Sequence, residues 1–165
     1  MREYQHITHE FAPIYDENSK ILILGSLPSV KSRENNFYYG HPQNRFWKVI
    51  AKVCQCPCPE NIEAKKKMLL EHQIAIWDVI AECDIIGSSD SSIRNVKAND
   101  ISKLISDSRI TGIYVNGATA GKYYKKYVQE QICREAILLP STSPANAAYS
   151  LKKLCEIWHC ILECP

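Results

Sequence analysis

Four short, unbroken apolar runs constrain the fold of this chain more than any other feature. None shows the alternation of apolar and polar residues that marks a strand with one face in water, so each is expected to be buried on both faces. Strands of this kind belong to parallel sheets that are covered by helices. The runs occupy residues 21–24, 74–77, 110–115 and 136–139.

Segments with helical periodicity separate these runs. The alternation of strand and helix predicts an α/β fold, a three-layer α/β/α arrangement around a central, mainly parallel four-stranded sheet with right-handed crossovers. We expect one domain over residues 1–165, with the first twenty residues an irregular lead-in. Helices are expected over residues 45–53, 61–72, 100–106, 118–130 and 147–162, with Asn99 capping the third of them.

The composition permits several functions and excludes few. Hydrophobic residues make up 45% of the 165 residues and charged residues 23%, which is ordinary for a globular domain. No apolar run is long enough to span a bilayer and the first residues lack the apolar core of a signal peptide, so we expect a cytoplasmic location. The net charge of +2 permits nucleic-acid binding without requiring it.

The chain contains eight cysteines, which we expect to be free thiols. Cys54, Cys56 and Cys58 are spaced C-x-C-x-C, whereas common zinc and iron–sulfur sites use paired C-x-x-C spacing. Cys155 and Cys160 fall in an amphipathic stretch, where a small buried side chain explains them, and Cys164 follows shortly after. We therefore expect neither a metal nor any other cofactor.

Polar segments rich in Gly, Ser, Asn and Pro follow each strand, where parallel α/β sheets bind their ligands. They cover residues 25–44, 78–95, 116–118 and 140–146. The first opens with Gly25-Ser26-Leu27-Pro28-Ser29, where the glycine permits a sharp turn and the serines offer hydroxyls. By itself this motif is more typical of an ordinary strand-to-helix turn than of a phosphate site, because it lacks the known phosphate-binding patterns.

Residues 38–47, Tyr-Tyr-Gly-His-Pro-Gln-Asn-Arg-Phe-Trp, are more specific. Pro42 suits a helix start, which would place Asn44 in the first turn beside unpaired backbone donors. Tyr38 and Tyr39 supply flat apolar faces nearby. The segment can therefore hold a nucleobase and a water molecule, although a capping Asn44 and two core tyrosines would explain it equally well.

Residues 141–146, Ser-Thr-Ser-Pro-Ala-Asn, repeat this design after the last strand. Ser143 is a natural N-cap and Pro144 a natural first helical residue. We expect the resulting helix start to attract anions.

Taken together, these motifs resemble the uracil-DNA glycosylase superfamily, from about His9 to Trp158. The mismatch-specific branch has a similar His-Pro-x-Asn-Arg-Phe-Trp run. The combination of Gly-Ser-x-Pro-Ser, Tyr-Tyr-Gly-His-Pro, Trp77-Asp78-Val79 and Pro-Ser-Thr-Ser-Pro-Ala-Asn is most similar to the hypoxanthine-DNA (deoxyinosine) glycosylase branch.

Two positions depart from the wider superfamily. Leu27 stands where many members place an Asp or Asn that activates water, and Ser141 stands near the position of a histidine. The resemblance to the hypoxanthine branch therefore implies that Asn44 takes the catalytic role. A carboxamide does not titrate usefully, so we expect Asn44 to orient water by accepting its hydrogen bond.

The resemblance also implies roles for other residues. Tyr39 is expected to stack on a flipped base, and Asp78 to read its polar edge, where a carboxylate can accept the N1–H of hypoxanthine. Because a carboxylate would repel O6, a donor is also needed there, and Asn116 or a backbone amide can supply it. The residues expected to bind the base are Tyr39, Asp78, Ser26, Leu27 and Asn116. Those expected to bind DNA are Ser141, Ser143, Asn146, Gly117, Tyr149 and Lys122. Tyr149 or Leu151 is expected to be the wedge that fills the gap left in the DNA stack.

The expected partner is damaged DNA, bound by a monomer. The expected reaction is hydrolysis of the N-glycosidic bond of a deaminated base, hypoxanthine in the first place. Alternatives are a uracil or mismatch glycosylase of the same superfamily, a lesion-binding protein without activity, and an enzyme that acts on free nucleosides.

Overall fold

The apolar runs form a parallel sheet, as the sequence predicts. We describe the chain from a computed structural model that covers residues 3–8, 11–35 and 37–163; His9 and Cys164 lie outside the described residues. The strands are β1 (Gln5–Thr8), β2 (Ile21–Gly25), β3 (Ile74–Asp78), β4 (Ile80–Ile85), β5 (Arg94–Ala98), β6 (Gly112–Asn116) and β7 (Ile137–Leu139). The parallel sheet has the order β3-β2-β6-β7.

Helices cover both faces of this sheet, which confirms the three-layer α/β/α architecture. They are α1 (Val30–Asn35), α2 (Phe46–Val53), α3 (Ile62–Glu71), α4 (Ile101–Ser106), α5 (Ala118–Tyr127), α6 (Gln129–Ile132) and α7 (Leu151–Trp158), with 3-10 turns at Asp90–Ser92 and His159–Glu163. None of these helices combines the length and the apolar character needed to cross a membrane.

Alternate residues of the central strand β2 face two separate cores. Ile21 and Ile23 pack with α2, α3 and α7, whereas Leu22 and Leu24 pack with α4, α5 and β4. Every residue of β2 is buried, which explains why the run is continuously apolar.

A second, antiparallel sheet of order β1-β4-β5 was not predicted. The expectation of an irregular lead-in missed β1, and the expectation of a polar segment over residues 78–95 missed β4. Only Val79 separates β3 from β4. Register irregularities between Ile80 and Glu82, and again between Glu82 and Asp84, break the two-residue period by which β4 would have been found.

Several helix boundaries also differ from the predictions. The N-cap of α4 is Asp100, whose side chain accepts a hydrogen bond from Lys103 N, so the assignment to Asn99 was wrong. The last helix begins at Leu151 with Ser150 as its cap. The predicted helix start at Ser143 and Pro144 was therefore wrong, and residues 143–149 form consecutive turns instead. Similarly, α2 begins at Phe46, so Asn44 precedes the helix.

Five of the described cysteines, Cys54, Cys56, Cys83, Cys155 and Cys160, pack in or against the two cores, whereas Cys58 and Cys133 are exposed. The seven described cysteines are free thiols, and Cys83 is fully buried. Burial raises the pKa of the Cys54 thiol to about 11. Among the described residues, no three His, Cys, Asp or Glu side chains come together in an arrangement that could hold a metal ion.

Replacing Trp158 by Ala should destabilise the fold strongly. This side chain is fully buried against Phe46, and its indole Nε1 donates to the carbonyl of Pro140 at 3.0 Å. Loss of a buried aromatic side chain costs about 3–5 kcal/mol. Urea unfolding of Trp158→Ala measures the change, with Glu156→Ala on the exposed face of the same helix as the control, where we expect a change within about 0.5 kcal/mol. A similar loss in both variants would contradict the assignment of Trp158 to the core.

Candidate functional site

A cavity of about 910 Å³ opens at the carboxyl ends of the parallel strands. Register pairs Gly25 with Asp78 and Asn116 with Leu139, so the ends of neighbouring strands align at one edge. All the predicted site residues except Lys122 and Leu151, the second wedge candidate, line this cavity: Asn44, Tyr39, Asp78, Ser26, Leu27, Asn116, Ser141, Ser143, Asn146, Gly117 and Tyr149.

No side chain fits at Gly25, the last residue of β2. A Cβ atom on this residue would collide with Oδ1 of Asp78 and lie 3.2 Å from the Tyr39 hydroxyl oxygen. Asp78 is only 4% exposed, and its backbone carbonyl accepts a hydrogen bond of 2.8 Å from the Asn99 side chain. The glycine therefore allows a buried carboxylate and a tyrosine to share the end of β2.

Tyr39 has the left-handed backbone conformation, with φ of 52°. One face of its ring stacks on Phe46, with centroids 4.0 Å apart. No described residue lies in good hydrogen-bond geometry with its buried hydroxyl, although the nearby Asn116 side chain lowers the pKa of Tyr39 against the larger effect of burial. Burial raises the pKa of Tyr39 well above its usual range and the Asp78 carboxylate adds to the rise, so the hydroxyl stays protonated. Tyr39 therefore brings an unused polar group to the cavity.

Tyr38 belongs to the core. It is 3% exposed, and its hydroxyl donates to the carbonyl of Ala12 at 2.8 Å. Its own carbonyl accepts from the indole of Trp47. Of the two tyrosines, Tyr39 is thus the one whose position suits a ligand.

Asn44 is held by its side-chain oxygen. Oδ1 accepts from the backbone N–H of Phe46 at 2.9 Å and from the hydroxyl of Thr142 at 2.9 Å. Both acceptor sites of that oxygen are thereby occupied. The expectation that Asn44 accepts a hydrogen bond from water is corrected accordingly: the group of this amide that remains for a ligand is the Nδ2 donor.

The first motif is anchored at both ends. Leu27 packs against the core between the sheet and α5, while the carbonyl of Ser26 accepts from Ile80 N at 3.0 Å. Ser29 accepts from the backbone N–H of Ser32, and the hydroxyl of Ser32 accepts from Gly40 N at 2.8 Å. The contact between Ser32 and Gly40 joins the segment that follows β2 to the motif at residues 38–47.

The last loop, residues 140–150 between β7 and α7, is organised by its own polar groups. Ser141 Oγ accepts from Ser143 N at 3.1 Å, and the Asn146 side chain donates to the carbonyl of Ser141. Gly117, with φ of 96°, lies close to Ser141, and a Cβ atom added to Gly117 would be 3.1 Å from Cβ of Ser141. The polar residues of this loop thus define its shape as well as its surface.

Sequence reasoning missed two residues that hold the site together. The Arg45 guanidinium donates to three carbonyls of the last loop, those of Ser143, Asn146 and Tyr149. Thr142 is completely buried between Asn44 and Asn116. Both residues lie within the two motifs, which was the one indication of their importance in the sequence. The sequence alone does not show that Arg45 and Thr142 link one motif to the other.

Lys122 lies outside the cavity lining. Its exposed side chain extends from α5, with the ammonium 5.4 Å from the centre of the Tyr123 ring. It can contribute charge to a surrounding surface but cannot contact a ligand inside the cavity.

Comparison with known proteins identifies similar chains. The sequence model of the uracil DNA glycosylase superfamily matches residues 12–162. A protein named hypoxanthine DNA glycosylase from Methanosarcina acetivorans is 35% identical, over 95% of this chain and 99% of that protein. One of the same name from Methanosarcina barkeri is 32% identical, over 90% of this chain and 93% of that protein.

A solved structure is similar throughout. The solution NMR structure of a protein described as a uracil DNA glycosylase from Methanosarcina acetivorans superposes with a TM-score of 0.79 and is 32% identical. The match covers 96% of this chain and 99% of that one.

Replacing Tyr39 by Phe should leave the free protein as stable as before, or more stable by about 1 kcal/mol, because it removes a buried hydroxyl that lacks a hydrogen bond. Thermal and urea unfolding of the ligand-free variant measure the change. Tyr38→Phe is the matched control, since its hydroxyl is bonded to Ala12 and its loss should destabilise. Equal destabilisation of both variants would show that the Tyr39 hydroxyl has a partner in the free protein.

Proposed function

The chain belongs to the uracil DNA glycosylase superfamily, and on that premise we propose that it hydrolyses the N-glycosidic bond of a deaminated base in DNA, hypoxanthine above others. The observation that carries the proposal is the convergence of Asn44, Tyr39 and Asp78 on one cavity at the carboxyl edge of the sheet. The names of the two Methanosarcina relatives support hypoxanthine as the base.

The target nucleotide must leave the DNA stack to enter this cavity. Extrusion costs a few kcal/mol and is easiest for a mispaired base such as deoxyinosine. The volume of about 910 Å³ accommodates a purine nucleotide, and the last loop carries hydroxyl and amide groups suited to the flanking phosphates. We propose that a protein monomer binds the flipped base in this way.

We assign recognition of the base to three groups. The cavity face of the Tyr39 ring can stack on it, while the other face is supported by Phe46. The Asp78 carboxylate can accept the N1–H of hypoxanthine. The remaining Nδ2 hydrogen of Asn116 is a donor for the purine acceptor atoms.

The reaction breaks the bond between C1′ and N9 and forms one between C1′ and a water oxygen. The sugar gains oxocarbenium character, the purine leaves with the bonding electron pair, and the proton lost by water finally resides on the base. Leu27 cannot activate water and Ser141 cannot supply an imidazole, so we propose that the reaction depends on hydrogen-bond donors that stabilise the leaving purine. We assign the Nδ2 group of Asn44 to this role.

A uracil glycosylase is the second candidate. The description of the similar NMR structure favours it. The same cavity would then take a pyrimidine, and the substrate panel below separates the two.

Wild-type protein should release hypoxanthine from an inosine-containing duplex, and Asn44→Ala should lower the single-turnover rate about 100-fold to 1,000-fold, as loss of a preorganised donor does. Duplexes that contain uracil or xanthine, assayed in the same way, establish the base preference, and chromatography quantifies the free base. Uracil release without hypoxanthine release would favour the second candidate.

Two other outcomes would contradict the proposal. Tight binding of inosine duplexes with no abasic product would indicate a lesion-binding protein. Activity on free deoxyinosine alone would indicate a nucleoside enzyme. If Asn44→Ala released the preferred base from DNA as fast as wild type does, the assignment of Asn44 would be wrong.

Lys122→Ala should weaken binding to duplexes of any sequence and reduce the slope of log K against log salt by about 1, as expected for one lost phosphate contact. The rate of base release from the fully bound complex should not change, because Lys122 lies outside the cavity. Fluorescence anisotropy at several salt concentrations measures the slope. Lys66→Ala, an exposed lysine on α3, is the control and should leave the slope unchanged.

A further inference from the structure

We infer that Thr142 is a positioning residue for Asn44: together with Asn116 it fixes the Asn44 amide with the oxygen toward the protein and the Nδ2 donor toward the cavity. The inference deepens the proposed function and rests on it for its catalytic meaning. The hydrogen-bond directions themselves follow from geometry, because a backbone N–H determines the orientation at each end of the chain of contacts.

The first end is Asn116, at the end of β6. Its Oδ1 accepts from the backbone N–H of Thr142 at 3.1 Å. A backbone N–H can only donate, so the atom that it meets must be the oxygen of the amide. The Nδ2 group of Asn116 therefore lies on the other side, where it donates to Thr142 Oγ1 at 3.1 Å.

The second end is Asn44, just before α2. Its Oδ1 accepts from the backbone N–H of Phe46 at 2.9 Å, which fixes this amide by the same argument. The reversed orientation would bring the Nδ2 hydrogens against the N–H of Phe46. Backbone geometry thus excludes the flipped amide.

Thr142 joins the two amides through a hydroxyl with a single hydrogen. Because Oγ1 accepts from Asn116, that hydrogen is available for Oδ1 of Asn44, 2.9 Å away. Thr142 is 0% exposed, so bulk water does not compete for these contacts. The result is a one-directional relay from Asn116 through Thr142 to Asn44.

The relay also explains why two distant motifs belong together. Asn44 precedes α2 and Thr142 follows β7, and a backbone bond from Arg45 N to the Thr142 carbonyl at 3.1 Å runs beside the side-chain contact. The backbone bond holds the two segments in place and the Phe46 N–H sets the orientation of the Asn44 amide, while the Thr142 hydroxyl occupies the second acceptor site of its oxygen and restrains the amide in that position. Removing the hydroxyl should therefore affect chemistry more than binding.

The test compares Thr142→Val, which keeps the shape and removes the hydroxyl, with Thr142→Ser, which keeps the hydroxyl. With an inosine duplex, we expect Thr142→Val to lower the single-turnover rate roughly 10-fold to 100-fold, the effect of leaving buried polar groups unpaired. The dissociation constant should change less than about 3-fold, and Thr142→Ser should stay within about 3-fold of wild type in both quantities. A Val variant with the wild-type rate, or a loss that appears only in affinity, would overturn the inference.

A double variant separates positioning from general damage. In the Asn44→Ala background, Thr142→Val should have almost no further effect on the rate, because the group that Thr142 positions is absent. A further loss of the full size would show that Thr142 acts independently of Asn44. If Thr142→Val does not fold, Thr142→Ala replaces it, because it also removes the hydroxyl: the rate should fall, and an unchanged rate would overturn the inference.

A spectroscopic measurement keeps the relay testable even if the proposed function fails. If wild type releases no base from inosine, uracil or xanthine duplexes, the proposed function is wrong, whereas the amide orientation can still be read by NMR. We expect the side-chain ¹⁵N–¹H₂ resonances of Asn44 to shift in Thr142→Val and to remain near their wild-type positions in Thr142→Ser. Unchanged Asn44 resonances in the Val variant would overturn the relay whatever the activity.

Discussion

The register of the parallel sheet is the constraint on which the site depends. Strand β2 pairs with β3 on one side and β6 on the other, and Gly25 lies directly opposite Asp78. Because parallel strands end at the same edge, segments that are far apart in the chain deliver their next residues to one place. The cavity is therefore a consequence of strand pairing, and a glycine at the end of the central strand keeps it open.

The sequence was sufficient to predict the sheet and most of the cavity lining. Continuous apolar runs signal buried strands, and the polar residues that follow them must then share an edge. The second sheet was not predicted because irregularities in β4 disturb its alternation, so that Ile80, Cys83 and Ile85 do not follow a two-residue period.

The error at Ser143 has a different cause. Ser followed by Pro is a strong local signal for a helix start, and local signals compete with tertiary contacts. Here the carbonyls of Ser143, Asn146 and Tyr149 bind the guanidinium of Arg45, and the helix begins only after Ser150. A residue almost a hundred positions away decides the local conformation, which no reading of the segment alone could reveal.

The same arginine has an electrostatic consequence for a loop that carries no basic side chain of its own. Within the described part of the chain, no carboxylate forms an ion pair with this guanidinium, whose contacts are neutral carbonyls. Carbonyl dipoles solvate a charge without cancelling it, and partial burial weakens its screening by salt. The loop therefore lies over a fixed positive potential, and its surface can attract a polyanion although the residues that it exposes are uncharged.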